Sequence, residues 1–290
     1  MIPVIHPPPL TGDAGSIDRY PAFSSRYVIP RTVDVWRPSH DQADSAIRYP
    51  VLYLHDGQNL FDPALSFIGV DWGMNAAMTR LMAETGNNGA LIVGLWNTPL
   101  RLREYLPHRP FTTMPGQTLW PRLIEQIGGE SLADDYLHFI VHELKPFIDA
   151  HYPTLPDAAH TLIMGSSMGG LISLYALTEY PAIFSGAACL STHWPMGGEM
   201  LVDAMGAALP KAGQHRLYFD FGTETLDAEY EPYQRRMDQW LQAAGYTSGQ
   251  DWLSCKFAGA EHSERAWRAR VSLPLRFLLG LDTARFQTLY

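Results

Sequence analysis

Apolar residues along the chain fall into two alternating patterns. Short runs with little polar interruption recur at 49–55, 90–96, 162–164, 184–190, 216–221 and 252–257, and most end in polar or small residues. A run of that length without polar alternation is the mark of a strand buried on both faces of a parallel sheet. Between the runs, apolar positions recur three or four apart. This holds for 74–82, for 132–152 through Leu137, Ile140, Val141, Leu144 and Ile148, for Leu171 and Leu174, for 233–244 through Met237, Trp240 and Leu241, and for 267–279. Such spacing predicts amphipathic helices. Strands alternating with helices give an α/β chain with a mostly parallel central sheet and helices on both faces.

Neither an internal repeat nor a linker interrupts residues 1–290, so a single domain is expected. Residues 1–22, rich in Pro and Gly, read as an irregular arm. Residues 25–37 carry β-branched and aromatic residues broken by Pro30, which predicts two short edge strands with a bend. Residues 108–130 mix aromatic, proline and amphipathic positions without a strong period. The structural reading is a surface excursion, and the functional reading is a cap over a site.

Composition narrows the class. A hydrophobic fraction of 46% and 8 Trp describe a packed core, far from the composition of disorder. Thirty acidic against 21 basic residues give a formal charge of −9, which repels phosphate backbones and anionic lipid and argues against nucleic-acid or membrane partners. Two cysteines, Cys189 and Cys255, are too few for a disulfide scaffold. Residues 1–10 lack the basic start and apolar segment of a signal peptide, so the chain as written is expected in the cytoplasm, unless a leader has been removed.

Chemistry concentrates at Gly165-Ser166-Ser167-Met168-Gly169. The pattern GxSxG between an apolar run and a helical segment marks a strand turning sharply into a helix, with room only for small residues beside an exposed serine. Ser167 is the candidate nucleophile. A serine hydroxyl needs a base in contact, itself oriented by an acid. His262 lies in the loop after the last predicted strand and is the candidate base. Asp227, five residues past Gly222, is the first candidate acid, and Glu224 on the same loop is the second. The oxyanion of an acyl transfer is held by backbone N–H groups after the nucleophile and after an earlier strand. These are Met168 and Gly57, with Gln58 as the alternative to Gly57. His138 and His142 are four apart on a predicted helix but lack the HExxH arrangement, so neither a metal nor another cofactor is expected.

Three segments together, residues 54–62 (LHDGQNLFD), 165–170 (GSSMGG) and 259–267 (GAEHSERAW), resemble the putative esterase family of α/β-hydrolases over about residues 25–280. That family includes enterochelin esterases, feruloyl and acetyl carbohydrate esterases and the esterase D group. The resemblance implies the α/β-hydrolase fold, ester hydrolysis through an acyl-enzyme, Ser167 as nucleophile, His262 as base, and Gly57 and Met168 in the oxyanion loops. It keeps Glu224 open beside Asp227, because many relatives carry the acid two or three residues after the glycine ending the preceding strand. Residues 103–107 resemble a further family segment near the site, which brings in Arg103. A trilactone siderophore substrate would require a basic mouth, for which Arg101, Arg103 and Arg109 are the candidates. A carbohydrate ester would use aromatic stacking, for which Trp72, Trp96, Trp120 and Trp194 are the candidates. Acyl transfer and non-catalytic binding on the same fold are the remaining alternatives.

Overall fold

The uninterrupted apolar runs become the middle of one sheet. The computed structural model describes residues 3–7, 15–39, 47–113 and 116–281. Among these, the strands are β1 (Gly15–Phe23), β2 (Arg31–Pro38), β3 (Val51–His55), β4 (Leu91–Leu95), β5 (Thr161–Ser166), β6 (Gly186–Leu190), β7 (Arg216–Phe221) and β8 (Trp252–Lys256). They lie in the order β1-β2-β4-β3-β5-β6-β7-β8. β2 is antiparallel to both β1 and β4, and all other neighbours are parallel. Every residue of β3, β4, β5 and β6 is buried, which explains why these segments show no polar alternation.

The helices are α1 (Met74–Thr85), α2 (Arg101–Tyr105), α3 (Gly116–Ile127), α4 (Ala133–Phe139), α5 (Lys145–His151), α6 (Met168–Glu179), α7 (Gly198–Ala207), α8 (Glu231–Ala243), α9 (Glu264–Arg270) and α10 (Ser272–Leu278). A π-helical turn over Ile140–Leu144 joins α4 to α5, so the stretch predicted as one helix remains continuous. The helix predicted over 267–279 is divided at Val271. Pro274 lacks an amide hydrogen and its ring opposes the carbonyl four residues back. No helix among the described residues is long and apolar enough to cross a membrane.

Alternate residues of each strand feed two cores. Val51 and Tyr53 join a cluster with Ile140, Leu171, Leu201 and Met237 from α6, α7, α8 and the turn after α4. Leu52 and Leu54 join another with Met74, Trp267 and Leu275 from α1, α9 and α10. Helices therefore cover both faces of the sheet.

The N-terminal expectation is corrected for residues 15–22. They do not form an irregular arm but belong to β1, with Ile17 opposite Trp36 and Tyr20 opposite Val33. Pro21 masked an amphipathic strand whose charges are neutralised sideways, Arg19 by Asp34 and Arg37 by Asp18. Residues 1–2 and 8–14 of that expectation lie outside the described residues. Of the two edge strands expected in 25–37, only β2 forms. Ser25 Oγ instead accepts the amides of Tyr27 and Val28 in a loop.

One ion pair ties the antiparallel edge to the helices. Arg31 on β2 and Glu104 on α2 meet at 2.5 Å with both side chains fully buried, and the guanidinium lies 5.0 Å from the ring centroid of Tyr136 on α4. Removing one partner of such a pair strands the other charge, at a cost of about 3–5 kcal/mol. Glu104→Ala is expected to lower the unfolding free energy by that amount in urea titrations. Glu179→Ala, which breaks the exposed Arg109 pair, is expected to cost under about 1 kcal/mol.

Candidate active site

All the candidate groups lie in loops that leave the C-terminal ends of the parallel strands. These ends are level in register, as His55 against Leu95, Ser166 against Leu190, and Phe221 against Lys256 show. In an open α/β sheet this rim is where ligands bind.

After β5 the chain turns into α6 at Ser167, whose backbone sits at φ 58° and ψ −122°. A non-glycine residue in such a conformation costs on the order of 1–3 kcal/mol and persists only where its surroundings enforce it. Here they do. Ser167 N–H donates to Leu190 O at 2.8 Å, and Ser167 O accepts from His193 N at 3.1 Å. Gly165 and Gly169 allow the turn, since a Cβ on Gly165 would lie 2.7 Å from the backbone of Gly169. Ser167 lines a cavity of about 450 Å³ together with His262, Gln58, Asn59 and Glu264.

His262 follows β8. Its Nδ1 is 2.6 Å from Asp227 Oδ1, which leaves Nε2 as the ring nitrogen without a protein partner among the described residues. Trp267 packs edge-to-face on the ring at 5.1 Å, and Tyr230 does so at 5.7 Å. The histidine loop is stitched to the acid loop through the backbone, with His262 N donating to Thr225 Oγ1 and the amides of Thr223 and Glu224 donating to Ala260 O. Asp227 is buried and Glu224 is exposed, and it is Asp227 that reaches the ring.

Asp227 Oδ2 accepts from Gly222 N and Ser191 Oγ, each at 2.6 Å. Burial would raise this carboxyl, but hydrogen bonds from His262, Ser191 and Gly222 outweigh it and hold it below the ordinary carboxylate range. Ser191 Oγ in turn accepts from Trp267 Nε1 and Arg270 Nη2, both at 3.0 Å. Arg270 is anchored on buried Asp220. This chain behind the acid had no signal in the sequence beyond the tryptophan of the third motif.

The loop after β3 is held from the segment after β4. Asp56, at φ 57°, accepts two hydrogen bonds from Arg101 and one from Asn97 Nδ2, while Gln58 Oε1 accepts Asn97 N at 3.2 Å. Burial opposes ionisation of Asp56, yet the Arg101 charge keeps its carboxyl low. The amides of Gly57, Gln58 and Met168 donate to no acceptor among the described residues. Gln58 lines the cavity, whereas Gly57 is pressed so closely on Gly94 that a Cβ would lie 2.5 Å from its carbonyl carbon. Of the two residues expected to offer this amide, Gln58 lines the cavity and Gly57 does not.

Several expectations do not survive. Trp72 and Trp194 are 2% and 1% exposed and belong to the two cores, where Trp72 packs on Trp267 and Trp194 donates to Gln234. Neither offers a face to a ligand. Trp96 donates to Asp34, and Trp120 stacks on Phe111 away from the cavity. Arg103 donates to Glu130 O and Arg109 pairs with Glu179, so only Arg101 of the expected basic mouth lines the cavity, and Asp56 neutralises it. The described residues of 108–130 do not cover the cavity. Phe111, Leu123 and Ile127 are buried in the larger core, and none of the segment's described residues lines the cavity.

Two features of the cavity carried no sequence signal. Phe67 on its rim is 84% exposed and Ile68 is 42% exposed, on a loop whose Phe67 N donates to Asn59 Oδ1. Glu264 also lines it, and burial raises its carboxyl above the ordinary range.

An open, mostly parallel sheet with this strand order and helices on both faces is the α/β-hydrolase fold. The chain belongs to the putative esterase family, whose model, described as "Putative esterase", matches residues 24–277, and it is a carboxylic ester hydrolase. It is 24% identical over 274 residues to the uncharacterized protein YbbA of Bacillus subtilis, covering 92% of this chain and 97% of that protein. It is 29% identical over 158 residues to the siderophore triacetylfusarinine C esterase of Aspergillus fumigatus, covering 53% of this chain and 48% of that one. The fold is shared with an IroE-like serine hydrolase from Shewanella oneidensis at TM-score 0.64 and 20% identity, over 94% of this chain and 80% of that one.

Two histidines near the site, buried His55 and half-buried His193, are held neutral by desolvation. Burial lowers His55 from 6.5 to about 3 and His193 to about 4. His193 Nδ1 meets Tyr230 OH at 2.5 Å, and His55 Nδ1 meets Tyr136 OH at 2.8 Å. Because the unfolded chain binds these protons first, their contribution is complete above pH about 6.5 and is lost as pH falls towards 4, by up to about 1.4 kcal/mol per pH unit for each group. Unfolding free energies measured by urea titration at pH 7, 6, 5 and 4.5 are expected to fall along that course. His193→Gln is expected to flatten the slope by about half.

Proposed function

We propose that the chain is a serine esterase that cleaves small carboxylic esters through an acyl-enzyme. The observation that carries this reading is the 2.6 Å contact of His262 Nδ1 with buried Asp227, beside a cavity that also takes in Ser167. Ser167 Oγ attacks the ester carbonyl carbon as His262 Nε2 takes its proton. Asp227 fixes the ring tautomer and balances the imidazolium. The amides of Gln58 and Met168 receive the oxyanion, a contribution of about 3 kcal/mol per donor in such sites. His262 then returns the proton to the departing alcohol, and water attacks the acyl-serine by the same route in reverse. No hydrogen bond joins Ser167 Oγ to His262 among the described residues, as is common before substrate closes the contact.

The apolar rim at Phe67 and Ile68 supports an ester with an apolar acyl or aryl part. The absence of Trp72, Trp96, Trp120 and Trp194 from the cavity weighs against sugar stacking. The siderophore esterase relative supports a second reading, a trilactone ester, which would need a cavity tolerant of a bulky chelate.

Steady-state hydrolysis of p-nitrophenyl butanoate tests the mechanism. Ser167→Ala and His262→Ala are expected to lose on the order of 10³-fold or more in kcat, and Asp227→Asn a comparable factor, while Glu224→Gln stays within about threefold. A crippled Glu224→Gln beside a silent Asp227→Asn would reverse the acid assignment. Full activity in Ser167→Ala would remove the mechanism.

A further inference from the structure

The charges around the cavity are unbalanced. Its lining carries the carboxylates of Asp56 and Glu264 and one guanidinium, Arg101. Arg101 is spent on Asp56, with two hydrogen bonds of 2.7 and 2.8 Å. Asp227 behind His262 adds a third carboxylate, and the whole chain carries a formal charge of −9. Glu264 therefore has no cation of its own. Its side chain accepts from its own backbone amide and from Asn59 Nδ2 at 3.4 Å, and neither donor is a cation.

Asn59 also fixes the aromatic rim, because its Oδ1 accepts the Phe67 amide at 3.0 Å. One buried amide thus contacts both a carboxylate and the loop that holds a phenyl ring exposed at 84%. Leaving a phenylalanine in water forfeits about 2 kcal/mol of burial, and the ordered loop keeps it there. A carboxylate and an aromatic face lining one cavity are the two elements that recognise an organic cation, one by charge and the other through the ring quadrupole.

Building on the esterase reading, we propose that Glu264 and Phe67 form a specificity subsite for a positively charged organic group on the ester, and that the cavity discriminates against anionic esters. Burial raises the Glu264 carboxyl, and the side chain is in no ion pair among the described residues. A substrate ammonium would supply the counter-ion. The same field drives out the carboxylate product once deacylation has created it, and it is the opposite of the basic mouth that an anionic iron chelate requires.

The experiment compares near-isosteric esters at pH 8 and low ionic strength. On the acyl side these are p-nitrophenyl esters of butanoate, of succinate as the half-ester, and of 4-(trimethylammonio)butanoate. On the alcohol side they are 3,3-dimethylbutyl acetate and acetylcholine. On at least one side, kcat/KM for the cationic ester is expected to exceed that of its neutral or anionic counterpart by on the order of tenfold, the size of one partly screened charge interaction. Glu264→Gln is expected to bring that ratio to within about threefold, and Phe67→Ala to lower kcat/KM for the cation more than for the neutral ester.

A measurement that needs no variant uses the native enzyme, in which benzyltrimethylammonium is expected to inhibit hydrolysis of the neutral ester competitively at concentrations where benzenesulfonate does not. Equal treatment of cation and anion by the native enzyme on both sides, or a ratio that survives Glu264→Gln, overturns the subsite. Failure of the esterase reading would look different, since the neutral esters would then not be cleaved at all.

Discussion

The site depends on a turn that the chain would not adopt unaided. Ser167 is held at φ 58° because Gly165 and Gly169 let β5 and α6 meet backbone to backbone, and because Leu190 at the end of β6 takes the amide of Ser167 while His193 in the loop after it takes the carbonyl. The strain, on the order of a few kcal/mol, lifts a hydroxyl out of a sheet that is otherwise closed on both faces. Were the turn to relax into a regular helix start, Ser167 would no longer stand in the cavity that His262 also lines.

Around that elbow, precision comes from loops bonded to one another. Thr223, Thr225 and Ala260 join the acid and histidine loops, and Asn97 with Arg101 holds the loop that carries Gln58. Buried polar networks of this kind are costly when half-satisfied and rigid when complete. The acid is a case in point: Asp227 has three hydrogen-bond donors and stays ionised inside the protein. In the proposed mechanism its charge supports an imidazolium without having to be reorganised when one forms.

Much of this was legible from residue order alone, for identifiable reasons. The strands β3 to β6 are sealed on both faces, so their sequences are nearly all apolar and stand out. The elbow has a steric requirement that only small residues meet, so GxSxG marks it. Asp227 against Glu224 was harder, because both lie on one loop and their order does not say which of them the fold buries; the structure buries Asp227 and leaves Glu224 exposed. β1 was hidden because Pro21 and flanking glycine mimic a disordered arm while the partner strand that orders it lies downstream. Trp72 and Trp194 were misread because a tryptophan carries no mark of which face is free; the rings fill core positions beside Trp267 and Gln234. Glu264 and Phe67 acquire meaning only from Asn59, some 205 residues away from Glu264 in sequence.

The central claim, that one hydroxyl on the rim of the sheet is the nucleophile, is met most directly by covalent capture. The native protein is treated with an alkyl fluorophosphonate and the adduct is located by peptide mass spectrometry. The expected result is one phosphonyl group on Ser167, absent from Ser167→Ala and slowed at least a hundredfold in His262→Ala, a fraction of the loss typical when a catalytic base is removed. An adduct on Ser166 or elsewhere, or native protein left unmodified, would contradict the account.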